Sequence, residues 1–166
     1  MVFFMEKKDM IGEIKERTNS VIIKDFVADG VWIQYNSAGE FKGPKYHATH
    51  METAEVKMKM DGTNEWELKA VEMTSEGDAV MITGKGTGRQ ERGKPTEGTF
   101  SGEVTFMTNS PRLSSINNTK GWIEGKTKGD EADIKVWPAK TPSILMEPMM
   151  QPTPSTAPTY PPPPQA

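Results

Sequence analysis

The chain has 166 residues, which is room for one domain with little left over for a second. Its formal net charge of −3 provides no long-range field that would attract nucleic acid or an anionic membrane, so we predict neither as a partner. It contains no cysteine, which excludes disulfides, thiolate metal sites and cysteine nucleophiles. The opening MVFFMEKKDM becomes charged too early for a signal peptide. No apolar run approaches the roughly 20 residues of a membrane-spanning helix, so a cytoplasmic location is expected.

Nearly everything before Pro138 alternates in polarity with the period of a β-strand. After a flexible N-terminal arm at residues 1–9, turn-forming pairs such as Asp29-Gly30 and Asp61-Gly62 separate the alternating segments. No segment has the i, i+3, i+4, i+7 apolar spacing of a substantial helix. The predicted strands are residues 11–17, 21–26, 31–37, 46–60, 65–74, 79–90, 99–109, 120–127 and 132–137.

Consecutive strands joined by hairpin-length loops predict antiparallel pairing. Trp66 and Leu68 alternate with Glu67 and Lys69, and the other strands show the same contrast, which indicates one buried and one wet face throughout. Long strands and glycines within strands suit a tilted, closed barrel, which has no exposed sheet edge. We therefore predict an all-β fold, an antiparallel up-and-down β-barrel of eight or nine strands over residues 10–138, rather than a β-sandwich.

The segment YHATHMETAEVKMKM at residues 46–60 contains the most informative deviation from this alternation. His50 and Glu52 share parity with Tyr46 and the other apolar residues, so an imidazole and a carboxylate are expected on the buried face. The two side chains would enter the barrel about 6.5 to 7 Å apart along one strand. A buried polar group needs a partner or a purpose, so this pair is our main candidate for a functional site.

Two further carboxyl groups have interior parity, Glu72 with Trp66 and Glu124 with Trp122. A histidine beside carboxylates can be an acid–base pair, a ligand anchor or a purely structural hydrogen-bonding group, and the sequence leaves all three open. We predict no catalytic residue. The predicted ligand-binding lining of the barrel comprises His50, Glu52, Tyr46, Trp32, Trp66, Glu72, Phe100, Phe106, Trp122 and Glu124.

Two apparent motifs do not support a cofactor or a metal. GKGTG at residues 84–88 matches neither of the phosphate-binding patterns GxxxxGK(S/T) and GxGxxG. It also lacks the following helix whose N-terminus would bind a phosphate. His47 and His50 are three residues apart, which on a strand directs the two rings to opposite faces. We therefore predict no cofactor and no metal site.

The sequence TGKGTGRQERGKPTEGTFSGEVTF, followed by NSPRLSSINNTKGWIEG, resembles the glycine-punctuated closing half of small barrels related to allene oxide cyclase. The resemblance covers about residues 82–137 and rests on glycine spacing. It implies an eight-stranded, lipocalin-like barrel with an internal cavity. It does not bring the isomerase activity with it, because no residue of this chain matches a catalytic motif of that family.

Ten of the thirteen prolines lie from Pro138 onward, so residues 139–166 are predicted to form a disordered, proline-rich tail that could reach a protein partner. Two classes of function stay open. In the first, this soluble barrel binds a small apolar or amphipathic molecule in its interior. In the second, it is a non-enzymatic assembly protein that uses its surface and tail. A cyclase- or isomerase-like enzyme is a distant third, and a homo-oligomer is compatible with each.

Overall fold

Eight antiparallel strands close into a barrel in the computed structural model, which describes residues 9–139. The strands follow one another around the barrel in chain order, and β8 pairs with β1 to close it. They are β1 Gly12–Val27, β2 Gly30–Lys42, β3 His47–Lys59, β4 Thr63–Met73, β5 Ala79–Gln90, β6 Glu97–Met107, β7 Thr119–Lys128 and β8 Glu131–Pro138. A short 3-10 helix, Pro111–Ile116, lies between β6 and β7. The predicted antiparallel up-and-down barrel is confirmed.

The first strand is longer than the sequence predicted. The segments 11–17 and 21–26, expected as separate strands, lie in one strand of 16 residues. Its register against β2 shifts between Thr18 and Ser20 and again between Ile23 and Asp25. Such bulges let a strand absorb an extra residue without ending, which is why the turn-like Asn19-Ser20 does not break β1.

The two ends of the barrel differ. At one end the 3-10 helix covers the interior, and its Leu113 and Ile116 are buried in the core cluster that also contains Phe41, Val80 and Phe106. At the other end, the turns between β5 and β6 and between β7 and β8 surround an opening into the interior. One half of the barrel is therefore packed, and the other half holds a cavity.

Size complementarity between β6 and β7 decides which face of β7 lies inside. The ring of Phe100 lies over Gly125, where an added Cβ would come within 2.1 Å of it. Ile123 and Gly125 are buried, whereas Trp122 and Glu124 are exposed. The expectation that Trp122 and Glu124 face the interior is therefore wrong, because large and small interior residues alternate across the two strands, with Phe100 opposite Gly125 and Ile123 opposite Gly102.

Strand β2 presents its odd-numbered residues to the interior. Ser37 and Phe41 are buried, and Tyr35 lines the cavity. Trp32 has the opposite parity and lies with Trp122 along a depression of the outer surface. Its predicted place in the barrel lining is also wrong, because apolar residues occur at both parities of β2 and only the pairing with β1 and β3 distinguishes the two faces.

The second half of β1 extends beyond the end of β8. Strand β8 pairs only with residues 12–17 of β1, and within residues 9–139 the backbone of residues 20–27 pairs with β2 alone. This half of the strand therefore forms a free sheet edge. It carries large apolar side chains that are 47% to 77% exposed, namely Val21, Ile22, Ile23 and Phe26.

Residues 9–139 include no helix with the length and apolar character needed to cross a membrane. Most of the predicted arm at residues 1–9, and the predicted tail from residue 140 onward, lie outside the described residues.

Candidate functional site

A row of cross-strand neighbours brings the polar side chains together. Glu16 on β1 is opposite Gly39 on β2, Gly39 is opposite His50 on β3, and His50 is opposite Glu72 on β4. Directly opposed residues are close enough for their side chains to meet. Because Gly39 has no side chain, nothing stands between Glu16 and the imidazole, and an added Cβ there would come within 2.6 Å of the Glu16 Cα.

His50 is the centre of this cluster and is 1% exposed. Its Nδ1 lies 3.1 Å from Glu72 Oε1, and its Nε2 lies 3.3 Å from Glu52 Oε2 and 3.5 Å from Glu16 Oε2. The hydroxyl of Tyr46 donates a hydrogen bond to the other oxygen of Glu72. His50 and Glu52, which were expected on the same buried face, therefore lie in contact within a cluster of three carboxyl groups and a phenol.

Burial and neighbouring charge set the protonation of the cluster. Burial raises the pKa of Glu16, and the adjacent Glu52 raises it further against the opposing effect of His50, to about 8. Burial lowers the pKa of His50, but hydrogen bonds to Glu52 and Glu72 outweigh this and raise it to about 9. Burial and the nearby Glu72 also raise the pKa of Tyr46, so its hydroxyl stays a donor. At neutral pH these shifts favour an imidazolium and a protonated Glu16.

The cluster lies against a cavity of about 290 Å³. Glu16 and Glu52 reach this cavity, and most of its remaining inner wall is apolar. Trp66 and Phe100 meet there edge to face with ring centroids 6.0 Å apart, and Trp66 Nε1 donates a hydrogen bond to the carbonyl of Thr87. The apolar wall also includes Tyr35, Ala54, Val56, Met58 and Leu68. The cavity therefore has two buried carboxyl groups and an aromatic and aliphatic wall, and polar residues such as Thr18, Asn64 and Arg89 also line it.

The structure brings most of the predicted site residues to this region. Three line the cavity: Glu52, Trp66 and Phe100. Three are buried in or beside the polar cluster: His50, Glu72 and Tyr46. Phe106 is in the packed core, and Trp32, Trp122 and Glu124 are on the outside.

Glu16 was not among the site residues predicted from the sequence. Its signal was the parity it shares with Ile14 and Gly12, both buried, against the outward Lys15 and Arg17. Glu16, His50 and Glu52 each present one donor atom, and the three atoms lie within 4.8 Å of one another, a set that suits a metal ion.

Comparisons with known proteins support the fold and assign no activity. No protein-family model and no curated protein matches the chain. The fold is similar to a conserved protein of unknown function, RPA1785, from Rhodopseudomonas palustris, with a TM-score of 0.67 and 18% identity over 77% of this chain and 93% of that chain. It is also similar to a protein of unknown function from Clostridium acetobutylicum, with a TM-score of 0.69 and 14% identity over 78% and 96% of the two chains.

A third similar structure is a β-barrel-like protein, ABAYE2633, from Acinetobacter baumannii, with a TM-score of 0.66 and 15% identity over 78% of this chain and 93% of that chain. At these identities the similarity shows the barrel fold alone. It supports the barrel that the sequence predicted, and none of these three structures is described as a cyclase or a lipocalin. A relationship to those families stays a prediction.

Proposed function

We propose that the barrel binds a small amphipathic molecule, with its apolar part in the cavity and a hydrogen-bond-donating or cationic head against Glu16 and Glu52. The observation that carries this proposal is that Glu16 Oε2 is buried and has no hydrogen-bond partner among residues 9–139. Buried polar atoms without a partner are uncommon in folded proteins. A donor on a ligand in the cavity would satisfy this oxygen.

Size and charge narrow the class of ligand. A volume of about 290 Å³ lies just below the usual range of ligand pockets, which is roughly 300 to 1,000 Å³. Short alkyl chains or single rings therefore fit better than lipids. Two carboxyl groups at the polar side disfavour a carboxylate or phosphate head, and an amine head is favoured by charge and by hydrogen bonding.

Titration with short linear alkylamines tests this proposal directly. Binding to chelator-treated protein is followed by tryptophan fluorescence, because Trp66, one of the four tryptophans, lines the cavity. Each added methylene should tighten Kd about fourfold until the cavity is filled, because burying one methylene contributes about 0.8 kcal/mol. Alkyl alcohols of equal length should bind more weakly, and alkyl carboxylates should bind most weakly.

A matched pair of variants locates the head group. Glu52 and Glu55 lie on the same strand, but Glu55 is exposed on the outer face. Glu52→Gln should weaken amine binding about tenfold and leave alcohol binding nearly unchanged, and Glu55→Gln should change neither. Absence of saturable binding by the wild type, or equal effects of the two variants, would contradict the proposal.

A second candidate function is self-association through the free edge of β1. Antiparallel pairing of this edge with the same edge of a second copy is two-fold symmetric. A register that places Lys24 opposite Asp25 of the partner subunit forms two opposite-charge pairs and sets Ile23 opposite Phe26 of the partner subunit. Lys24 is the extra residue of a bulge, and a lysine at a sheet edge disfavours pairing with another strand. In this register each Lys24 instead lies opposite an acidic residue, so charge complementarity favours a second copy as the occupant.

Native mass spectrometry and light scattering test this second candidate. The wild type should be a dimer, and Ile23→Lys should be a monomer with an unchanged β spectrum. Charge reversal at Lys24→Glu should weaken the dimer, and the double variant with Asp25→Lys should restore it. A wild type that is monomeric at all concentrations, or a dimer that Ile23→Lys does not disrupt, would exclude the edge as a self-association surface.

A further inference from the structure

The three donor atoms of the polar cluster are arranged as metal ligands usually are. His50 Nε2 lies 3.3 Å from Glu52 Oε2 and 3.5 Å from Glu16 Oε2. A tetrahedral Zn²⁺ ion with bonds of about 2.0 to 2.2 Å holds neighbouring ligand atoms about 3.3 to 3.6 Å apart. Both distances from the imidazole nitrogen fall in this range, and the full set of three lies within 4.8 Å.

An independent observation points to a ligand at the same place. The side chain of Glu16 is 6% exposed, and its Oε2 faces His50 Nε2 without a hydrogen-bond partner among residues 9–139. The single proton on His50 Nε2 is directed to one acceptor at a time, and Glu52 lies closer to it. A divalent cation placed between the three side chains would replace the protons that Glu16 and His50 Nε2 hold at neutral pH, and would satisfy Glu16 and Glu52 together.

The hydrogen-bond partners of the imidazole are also those of a typical metal-binding histidine. His50 Nδ1 lies 3.1 Å from Glu72, which is fully buried and accepts a hydrogen bond from the Tyr46 hydroxyl on its other oxygen. Metal-binding histidines usually donate their second N–H to a carboxylate, which fixes the tautomer and orients the ring. Here Glu72 would keep the proton on Nδ1 and direct the lone pair of Nε2 toward Glu16 and Glu52. Glu72 and Tyr46 are therefore positioning residues.

We propose that Glu16, His50 and Glu52 bind a divalent transition-metal ion of the Zn²⁺ class, with its fourth coordination position open to the cavity. One imidazole and two carboxylates are a donor set that such ions accept. Glu16 and Glu52 reach the cavity, so the open position faces the same space as the proposed ligand. Three protein ligands and one open position are typical of ions that bind an exchangeable water or substrate.

This inference deepens the proposed function and rests on it for one point, that a small molecule can enter the cavity through the opening between the turns. When the ion is bound, the head group favoured beside Glu16 and Glu52 changes from a hydrogen-bond donor to a metal-ligating oxygen or nitrogen. The two proposals can fail separately, because alkylamine binding is measured on chelator-treated protein and metal binding is measured without any amphiphile.

Titration of the chelator-treated full chain with Zn²⁺ tests the site. Calorimetry and native mass spectrometry should show one ion per chain, and Co²⁺ should give the visible absorption of a four-coordinate ion at the same stoichiometry. Glu16→Gln and Glu52→Gln should each weaken Zn²⁺ binding at least about tenfold. Glu72→Gln should weaken it about 10- to 100-fold, as is usual for the partner of a metal-binding histidine.

Matched controls separate this site from adventitious binding. Glu13 and Glu55 lie on the same two strands as Glu16 and Glu52 with the opposite parity, so Glu13→Gln and Glu55→Gln should bind Zn²⁺ like the wild type. A Zn²⁺-dependent rise in Tm should occur in both controls and be lost in Glu16→Gln, which keeps the test valid if another variant folds poorly. No binding by the wild type, or equal binding by Glu16→Gln and Glu13→Gln, would overturn the proposal.

Discussion

Replacing Tyr46 by phenylalanine removes one oxygen atom and tests the energetics of the polar cluster. Tyr46 is 9% exposed, its ring stacks on Phe41 with centroids 4.5 Å apart, and phenylalanine can keep this contact. What is lost is the hydrogen bond that the hydroxyl donates to Glu72, whose carboxylate is fully buried. Hydrogen bonds to charged groups contribute about 1.5 to 3 kcal/mol, so Tyr46→Phe should lower the free energy of unfolding by about that amount.

Tyr35→Phe provides a matched control. Tyr35 is half-buried on β2, and among residues 9–139 the one hydrogen-bond partner of its hydroxyl is the sulfur of Met58 at 3.7 Å, a weak acceptor. This control should therefore change the free energy of unfolding by less than about 0.5 kcal/mol. Urea denaturation followed by tryptophan fluorescence measures both variants, and the m-value should stay unchanged, because neither alters the surface exposed on unfolding.

The comparison of the two tyrosine variants decides the result. If Tyr46→Phe lowered the free energy of unfolding no more than Tyr35→Phe, the hydrogen bond from Tyr46 to Glu72 would not stabilise the protein. That result would contradict the hydrogen-bonded cluster around Glu72. If Tyr46→Phe lowered the m-value as well, the variant would have loosened the barrel and the energy could not be assigned to one hydrogen bond.

Three further predictions concern packing and pH. Trp66→Ala should cost about 3 to 5 kcal/mol, because Trp66 is 5% exposed, whereas Glu67→Ala on the outer face should cost less than about 0.5 kcal/mol, as denaturant titration would show. Gly125→Ala should cost about 1 to 3 kcal/mol by overpacking against Phe100, and Phe100→Leu should recover part of that loss; additive costs in the double variant would contradict the contact. The pKa of His50 is raised from 6.5 to about 9, so its stabilising contribution is complete below about pH 6.5 and is lost as pH rises through about 9. The free energy of unfolding of the metal-free protein should therefore fall over this pH range, and it should fall less steeply in His50→Gln.

The alternation of side chains predicted much of the site. On β3 the register of residues 46–60 placed His50 and Glu52 inside, and the parity shared with Trp66 placed Glu72 inside. Each of these strands has charged residues along one face and mostly apolar residues along the other, so period two alone identifies the interior. The proximity of Glu72 to His50 did not follow from parity, because it depends on the register between β3 and β4.

Other placements depended on contacts between strands. In β7, Gly121 and Gly125 have no side chain to mark the interior face, so the large apolar Trp122 led to the wrong prediction. In the structure, Phe100 of β6 fills the space over Gly125, and Trp122 lies outside. Glu16 was missed because a single carboxylate among charged neighbours resembles a wet face. Only the pairing of Glu16 with Gly39, and of Gly39 with His50, reveals its place in the cluster.

The central claim is that a histidine is buried among carboxyl groups beside a cavity, and the protonation state of His50 tests it most directly. The chain has one other histidine, the exposed His47, so a His47→Gln variant leaves a single imidazole to observe by nitrogen-15 NMR. In metal-free protein both ring nitrogens of His50 should carry protons at neutral pH, and the titration should have its midpoint near 9. A midpoint near the ordinary value of 6.5, with rapid exchange of both ring protons with water, would contradict the buried cluster.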